Sequence, residues 1–145
     1  MSTIDFGVFI GRFQPLHIGH EHVIARALEQ AGRLIVLVGS ANVARDPRNP
    51  FTYAEREAML RSAFRHEVAQ GRLIIAPLDD HLYSDTAWTA QVQRTVRALV
   101  LEHGNAHGFQ NHGLADFRVA LAGYGKDASS YYLKLFPEWE NLQVD

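Results

Sequence analysis

Phe6-Gly7-Val8-Phe9-Ile10-Gly11-Arg12-Phe13-Gln14-Pro15-Leu16-His17-Ile18-Gly19-His20 reads FGVFIGRFQPLHIGH. It opens on a short, apolar, β-prone run, Phe6 to Ile10, which predicts a buried strand. Beyond Ile18 the period changes. Ile24, Ala27, Leu28 and Ala31 fall at i, i+3, i+4 and i+7, and Gly32 supplies a stop, so an amphipathic helix is expected. A strand that turns directly into a helix is the first half of an α/β unit.

The rest of the chain repeats that alternation. Leu34 to Val38, Leu73 to Ala76 and Phe117 to Ala122 read as further buried strands, with Leu142 to Val144 as a fifth. Thr52-Tyr53-Ala54-Glu55 fits a capping box. Behind it Leu60, Ala63, Phe64 and Val68 form a helical stripe closed by Gly71. Ser84 or Asp85 can cap a third helix whose Trp88, Val92, Val96 and Leu99 line one face. Asp127 or Ser129 can cap a short helix that Pro137 stops. Buried strands in this order predict an α/β fold: a Rossmann-like, doubly wound parallel sheet with right-handed crossovers and helices on both faces. Glu102 to Asp116, with three glycines and His103, His107 and His112, reads as an exposed loop.

Composition narrows the class. With 145 residues, 47% hydrophobic and 21% charged, the chain suits one domain, residues 1–145. A net charge of −2 gives no general basic field, so neither nucleic acid nor a membrane is an expected partner. The absence of cysteine excludes disulfides, thiolate metal sites and a cysteine nucleophile. No apolar run approaches ~20 residues. No basic segment followed by a long apolar stretch marks a secretory signal, and the expected location is cytoplasmic.

In a doubly wound sheet, ligands bind beyond the carboxyl ends of the strands. The quoted stretch lies there. Free N–H groups and the helix dipole at the start of the first helix favour an anion. Gly11 and Gly19 permit close backbone approach. His17 and His20, three residues apart, occupy one helical turn and can donate to the same phosphate oxygens. Arg12 adds a planar fork of donors. The stretch lacks G-x-G-x-x-G, lacks G-K-[ST] and does not fit H-E-x-x-H. Its own chemistry is a phosphate site with two histidine donors. The alternative for histidines at a helix start is a capping or surface role.

His17-Ile18-Gly19-His20 matches the H-x-G-H signature of the nucleotidyltransferase superfamily, and G-R-F-Q-P-x-H-x-G-H resembles the nicotinamide-mononucleotide adenylyltransferases of archaeal type. Further motifs follow in family order. Gly39-Ser40 ends the second strand. Arg48-Asn49-Pro50-Phe51-Thr52 with Glu55-Arg56 resembles R-[DN]-P-F-T-x-x-E-R. Asp80, Asp85 and Trp88 resemble D-x-x-x-x-[ND]-x-x-W. Gly125 to Leu133, then Phe136-Pro137-Glu138-Trp139, is most similar to the branch fused to a Nudix hydrolase.

The resemblance implies a reaction: the phosphate of nicotinamide mononucleotide attacks the α-phosphorus of ATP, NAD forms and pyrophosphate leaves. In that reading His17, His20, Arg12 and Arg48 are the catalytic group. Gly11, Arg12, Phe13, Gln14, His17, Gly19, His20, Gly123, Gly125 and Lys126 border ATP. Gly39, Ser40, Arg48, Asp80 and Trp88 border nicotinamide mononucleotide. Mg²⁺ is implied, held by triphosphate oxygens and water rather than by protein ligands. Periodicity alone assigns Trp88 to the core stripe; the family pattern instead puts its indole on the nicotinamide ring. Homo-oligomers are implied by the resemblance alone.

The family carries a further serine/threonine cluster ending in arginine, one strand beyond Phe-Pro-x-Trp. Asp145 is reached before that motif, and before any Nudix domain. Three readings stay open: a piece of a longer protein, a short enzyme that supplies the cation elsewhere, or a non-catalytic nucleotide-binding relative. Another phosphate acceptor, and metal binding through His103, His107 and His112, are the remaining alternatives.

Overall fold

The computed structural model describes residues 4–81, 84–105, 112–123, 134–142 and 144. Its strands are β1 Ile4–Gly11, β2 Ala31–Val38, β3 Leu73–Pro77, β4 Val119–Ala122 and β5 Glu140–Leu142. Its helices are α1 Ile18–Gln30, α2 Tyr53–Ala63, α3 Arg65–Ala69 and α4 Asp85–Gly104, with a 3₁₀ turn at Leu114–Asp116. The sheet order is β3-β2-β1-β4-β5 and every pairing is parallel. The order reverses between β1 and β4, which makes the carboxyl end of β1 the switch point.

Both faces of the sheet are covered. Val8, Ile10, Ile35, Leu37, Ile74 and Leu121 pack beneath Val92, Val96 and Val100 of α4. Phe9, Leu34, Val36, Val38 and Ala120 pack against Val23, Ile24, Ala27 and Leu28 of α1 and Leu60 of α2. Strands buried on both sides are apolar at consecutive positions, which is why β1 and β2 read as continuous hydrophobic runs. No described helix is long and apolar enough to cross a membrane.

Several boundaries differ from the sequence reading. Ala31 and Gly32, expected to end the first helix, belong to β2, and Ala31 pairs with Ile4. No glycine cap is needed there because Arg72 serves the helix end. Its Nε donates to Gly32 O at 3.1 Å, and its Nη2 donates to Ala31 O at 3.2 Å and to Leu28 O. The stripe expected as one helix after Thr52 bends at Phe64 (φ −127°, ψ 48°) into α2 and α3, and Gly71 (φ 75°) closes it. The capping box holds: Thr52 Oγ1 accepts from Glu55 N at 3.2 Å, and Glu55 Oε1 accepts from Thr52 N at 2.9 Å.

Ser84 caps α4 by accepting from Ala87 N at 3.1 Å. The helix continues through Glu102 and His103, so the expected loop begins later. Asn105 ties its two sides together, accepting from His112 N at 2.9 Å and donating to Leu101 O at 3.0 Å. Phe117 precedes β4 rather than opening it. Its ring packs edge-on against Phe6 at 5.8 Å. The fifth strand pairs earlier than expected, Ala120 with Glu140 and Ala122 with Leu142. The helix expected after Asp127 or Ser129 lies outside the described residues.

Leu37 is fully buried in β2 beneath α4. Leu37→Ala leaves a cavity the sheet cannot close, so unfolding in urea should show a loss of about 2–5 kcal/mol. A loss below about 1 kcal/mol would contradict this packing.

Candidate active site

The turn from β1 to α1 is built by its two histidines capping one another. His17 is the N-cap residue. Its Nδ1 accepts from Gly19 N at 3.0 Å and from His20 N at 3.4 Å, while His20 Nδ1 accepts from His17 N at 3.2 Å. This is a capping box with imidazoles in place of hydroxyl and carboxylate. The rings stack with centroids 3.6 Å apart. A Cβ on Gly19 would sit 2.9 Å from His17 Cε1, so only glycine allows the ring to fold back over the helix end. The N–H groups of Gly19 and His20, expected to be free, are therefore spent on the cap.

That cap settles the tautomers. An Nδ1 that accepts from a backbone N–H carries its lone pair, so each neutral ring has its proton on Nε2. Two Nε2–H donors face away from the backbone, and neither has an acceptor among the described residues. His20 also lies against Phe13, centroids 4.6 Å apart. Burial, with the neighbouring His17, pushes its pKa down from 6.5 to about 4. His20 is a neutral donor at physiological pH.

The loop after β2 comes back over this turn. Asp46 organises it: Oδ1 accepts from Arg48 N at 2.9 Å, Asn49 N at 2.7 Å and Asn49 Nδ2 at 3.2 Å. These bonds, that to Asn49 N foremost, hold its carboxyl below the usual range. Asn49 is buried, and its Oδ1 accepts from Arg12 Nη2 and from Gln14 Nε2 at 3.5 Å. Arg12 Nη2 also donates to Arg48 O at 3.3 Å. Gln14 Oε1 accepts from Phe51 N at 2.9 Å. Arg12 and Arg48, 36 residues apart, are thus brought together at one edge, both exposed. Gln14, expected beside a ligand, spends its amide on joining the two loops.

Beneath them lies Arg56, 1% exposed. Its Nη1 donates to Arg12 O at 2.8 Å and Gly39 O at 2.6 Å, its Nη2 to Ser40 O at 3.2 Å and its Nε to Thr52 O at 3.2 Å. Ser40 follows directly, with its Oγ donating to Asp80 Oδ1 at 2.8 Å. Asp80 is held further by Asn42, which donates Nδ2 to Asp80 O at 3.2 Å and accepts Asp80 N at 2.8 Å. Gly39 N donates to Gly11 O at 2.8 Å, joining the ends of β1 and β2.

Trp88, in the first turn of α4, is half-buried against the core, its ring 6.0 Å from that of Phe136. Gly123 follows β4 at the same edge as Gly11. Gly125 and Lys126 lie outside the described residues, as does His107. His103 is on α4, and His112 Nδ1 stands 3.8 Å from Asp116. Sequence reasoning missed Asp46, whose turn sequence Asp46-Pro47-Arg48-Asn49 was a readable signal. Asn49 and Arg56 stood in the Arg48-to-Arg56 motif but were given no role, and residue type alone puts an arginine of an amphipathic helix at the surface.

A family model described as cytidylyltransferase-like matches residues 8–77. The nicotinamide/nicotinic acid mononucleotide adenylyltransferase of Acinetobacter baylyi is 39% identical over 145 residues, which are 100% of this chain and 69% of that protein. The nicotinamide-nucleotide adenylyltransferase of Archaeoglobus fulgidus is 38% identical over 88 residues, 58% of this chain and 50% of that one. Among solved structures, a bifunctional NMN adenylyltransferase/ADP ribose pyrophosphatase from Francisella tularensis, complexed with AMP and Mn ion, gives a TM-score of 0.78 at 30% identity. That match covers 98% of this chain and 37% of the Francisella chain.

The histidine cap makes a pH prediction. The folded pKa of His20 lies below its unfolded value, so the unfolded chain takes up that proton first. The contribution is complete above about pH 6.5 and is lost as pH falls toward 4. Urea midpoints of the wild type should fall across that window more than those of His20→Gln. Nitrogen-15 correlation spectra at neutral pH should show both rings protonated on Nε2. Protonation of either ring on Nδ1 would refute the reciprocal cap.

Proposed function

The chain belongs to the nicotinamide-mononucleotide adenylyltransferase family of nucleotidyltransferases, and from that premise we propose that it joins ATP to nicotinamide mononucleotide, yielding NAD and pyrophosphate. The observation that carries this is the pair of stacked imidazoles at the switch point. Each has Nδ1 committed to the backbone and Nε2–H turned outward, beside two exposed arginines. Such an array suits a polyphosphate and nothing apolar.

The nucleophile is already an anionic phosphate oxygen, so no strong base is required. It forms a bond to the α-phosphorus while the bond to the bridging oxygen of the β-phosphate breaks. Catalysis then rests on alignment and on stabilising charge that grows on equatorial and leaving oxygens. His17 and His20 donate to those oxygens. The neutral His20 suits this role, since it holds the developing charge without needing to exchange a proton at physiological pH. Arg12, oriented by Asn49, and Arg48 hold phosphate charge on the other side. Ser40 and Asp80 form the polar wall toward the nicotinamide nucleotide, and Trp88 offers its indole to the base. Gly11, Phe13, Gln14, Gly19 and Gly123 border ATP, together with Gly125 and Lys126.

A divalent cation, Mg²⁺ in the cell, would supply neutralisation of the triphosphate. The residues fit a metal carried by the substrate. The side chains at the mouth of β1 are hydrogen-bond donors, and among the described residues no group of three or more His, Asp or Glu could hold a metal. The chain functions in this reading as one nucleotidyltransferase domain, cytoplasmic, able to form homo-oligomers.

The test is direct. Incubation with ATP, nicotinamide mononucleotide and Mg²⁺ should release NAD and pyrophosphate in equal amounts. Nicotinic acid mononucleotide, run beside it, reports the base preference. ATP binding without product would overturn the enzyme reading in favour of a binding module. His20→Ala should lower kcat about 10²–10³-fold, the cost of one transition-state donor, with a far smaller change in ATP affinity. Unchanged turnover would remove His20 from this role.

A further inference from the structure

Two residues other than glycine have left-handed backbones among those described: Phe13 and Ser40, both at φ 53°. They occupy equivalent places, Phe13 beyond the end of β1 and Ser40 beyond the end of β2. Such a backbone is unfavourable for any residue but glycine, so something must hold it. In both cases the peptide carbonyl immediately before it, Arg12 O or Gly39 O, is bound by the same nitrogen, Arg56 Nη1, at 2.8 and 2.6 Å. The carbonyl of Ser40 itself is bound by Arg56 Nη2 at 3.2 Å.

A trans peptide points its N–H opposite to its C=O. Drawing the Arg12 and Gly39 carbonyls down to one buried guanidinium therefore turns the N–H groups of Phe13 and Ser40 away from it. Neither N–H has an acceptor among the described residues. Ala41 N, by contrast, is already used by Leu78 O at 2.8 Å. Arg56 has no carboxylate hydrogen-bonded to it among the described residues; all its bonds go to carbonyls.

We propose that Arg56 is a positioning residue that turns two peptide groups, so that the N–H groups of Phe13 and Ser40 form a backbone donor pair for substrate phosphate. This rests on the adenylyl-transfer reading for its substrate, but not for its geometry. The guanidinium itself touches no ligand. It fixes the ends of β1 and β2 relative to each other, and its hydrogen bonds to the carbonyls polarise the same peptides whose N–H groups donate. Lysine cannot replace it, because a single ammonium with three N–H groups does not present a planar fork to four carbonyls at once.

The experiment has two arms. In wild-type protein labelled with nitrogen-15, pyrophosphate and then ATP with Mg²⁺ should shift the Phe13 and Ser40 amide signals; shifts confined to other residues would overturn the proposal. Arg56→Lys, checked for folding by circular dichroism, should lose those two shifts and lose about 10²-fold in kcat, with a smaller change in KM. Arg61→Met, on the same helix but at the surface, is the control and should behave as wild type. A folded Arg56→Lys with full kcat and intact amide shifts refutes the positioning role. If Arg56→Lys does not fold, the wild-type titration alone decides. If wild type makes no NAD yet pyrophosphate shifts both amides, the reaction assignment fails and the donor pair stands.

Discussion

Five parallel strands deliver their carboxyl ends to one edge of the sheet, and that single constraint decides where every functional group can be. The order β3-β2-β1-β4-β5 places β1 in the centre with β2 and β4 on either side. The loops after β1 and β2 must meet over a short gap. Two loops that end adjacent parallel strands each carry backbone carbonyls with no ladder partner. Burying those groups without hydrogen bonds would cost about 1–3 kcal/mol apiece. The chain solves this from α2, whose one buried arginine gathers them. The site's polar furniture follows from that solution. Arg12 is tied at its carbonyl by Arg56 and at its guanidinium by Asn49, so both its backbone and its charge are placed.

The first helix shows a different economy. Its opening turn needs acceptors for orphan N–H groups, and its chemistry needs outward donors. An imidazole supplies both, one on each nitrogen. A serine hydroxyl also accepts and donates, but from a single oxygen; the imidazole places the two functions on opposite sides of a rigid ring. The capping role shown for His17 and His20 is therefore compatible with the phosphate role proposed for them, although the two compete as readings of the sequence. Burial that keeps His20 neutral also keeps its Nδ1 available as an acceptor. Protonation would break the cap and the stacking together.

The fold was legible because apolar runs and 3.6-residue stripes are local signals. Phe6 to Ile10 and Leu34 to Val38 needed no tertiary information. The boundaries were not, because they depend on partners distant in sequence. Ala31 follows the helical period of Ile24 and Leu28, yet it lies in β2 because Ile4 pairs with it and Arg72 caps the helix behind it. In the site, the histidine pair and Arg12 were singled out by residue type and spacing, and Arg48 by the family resemblance. The roles of Asn49 and Arg56 could not be read, since they lie in carbonyls and side chains dozens of residues away. The hydrogen bonds of Gln14 to Asn49 and Phe51 were equally invisible in the sequence.

The junction of α1 and β2 has no loop at all: Gln30 ends the helix and Ala31 begins the strand. It has no slack to absorb an extra residue. A one-residue insertion there would slide β2 by one pairing position and exchange its two faces. Both faces are aliphatic, so hydrophobicity alone would not reject the slipped register. Steric fit would: Gly7 is the residue opposite Leu34, and any Cβ there would lie 2.9 Å from Leu34 Cδ1. Glycine at that one site makes the native alignment distinguishable from its neighbours. For anyone rebuilding this scaffold, the amino-terminal edge of the sheet is the end to leave at its native length, and the variable end is the one that carries chemistry.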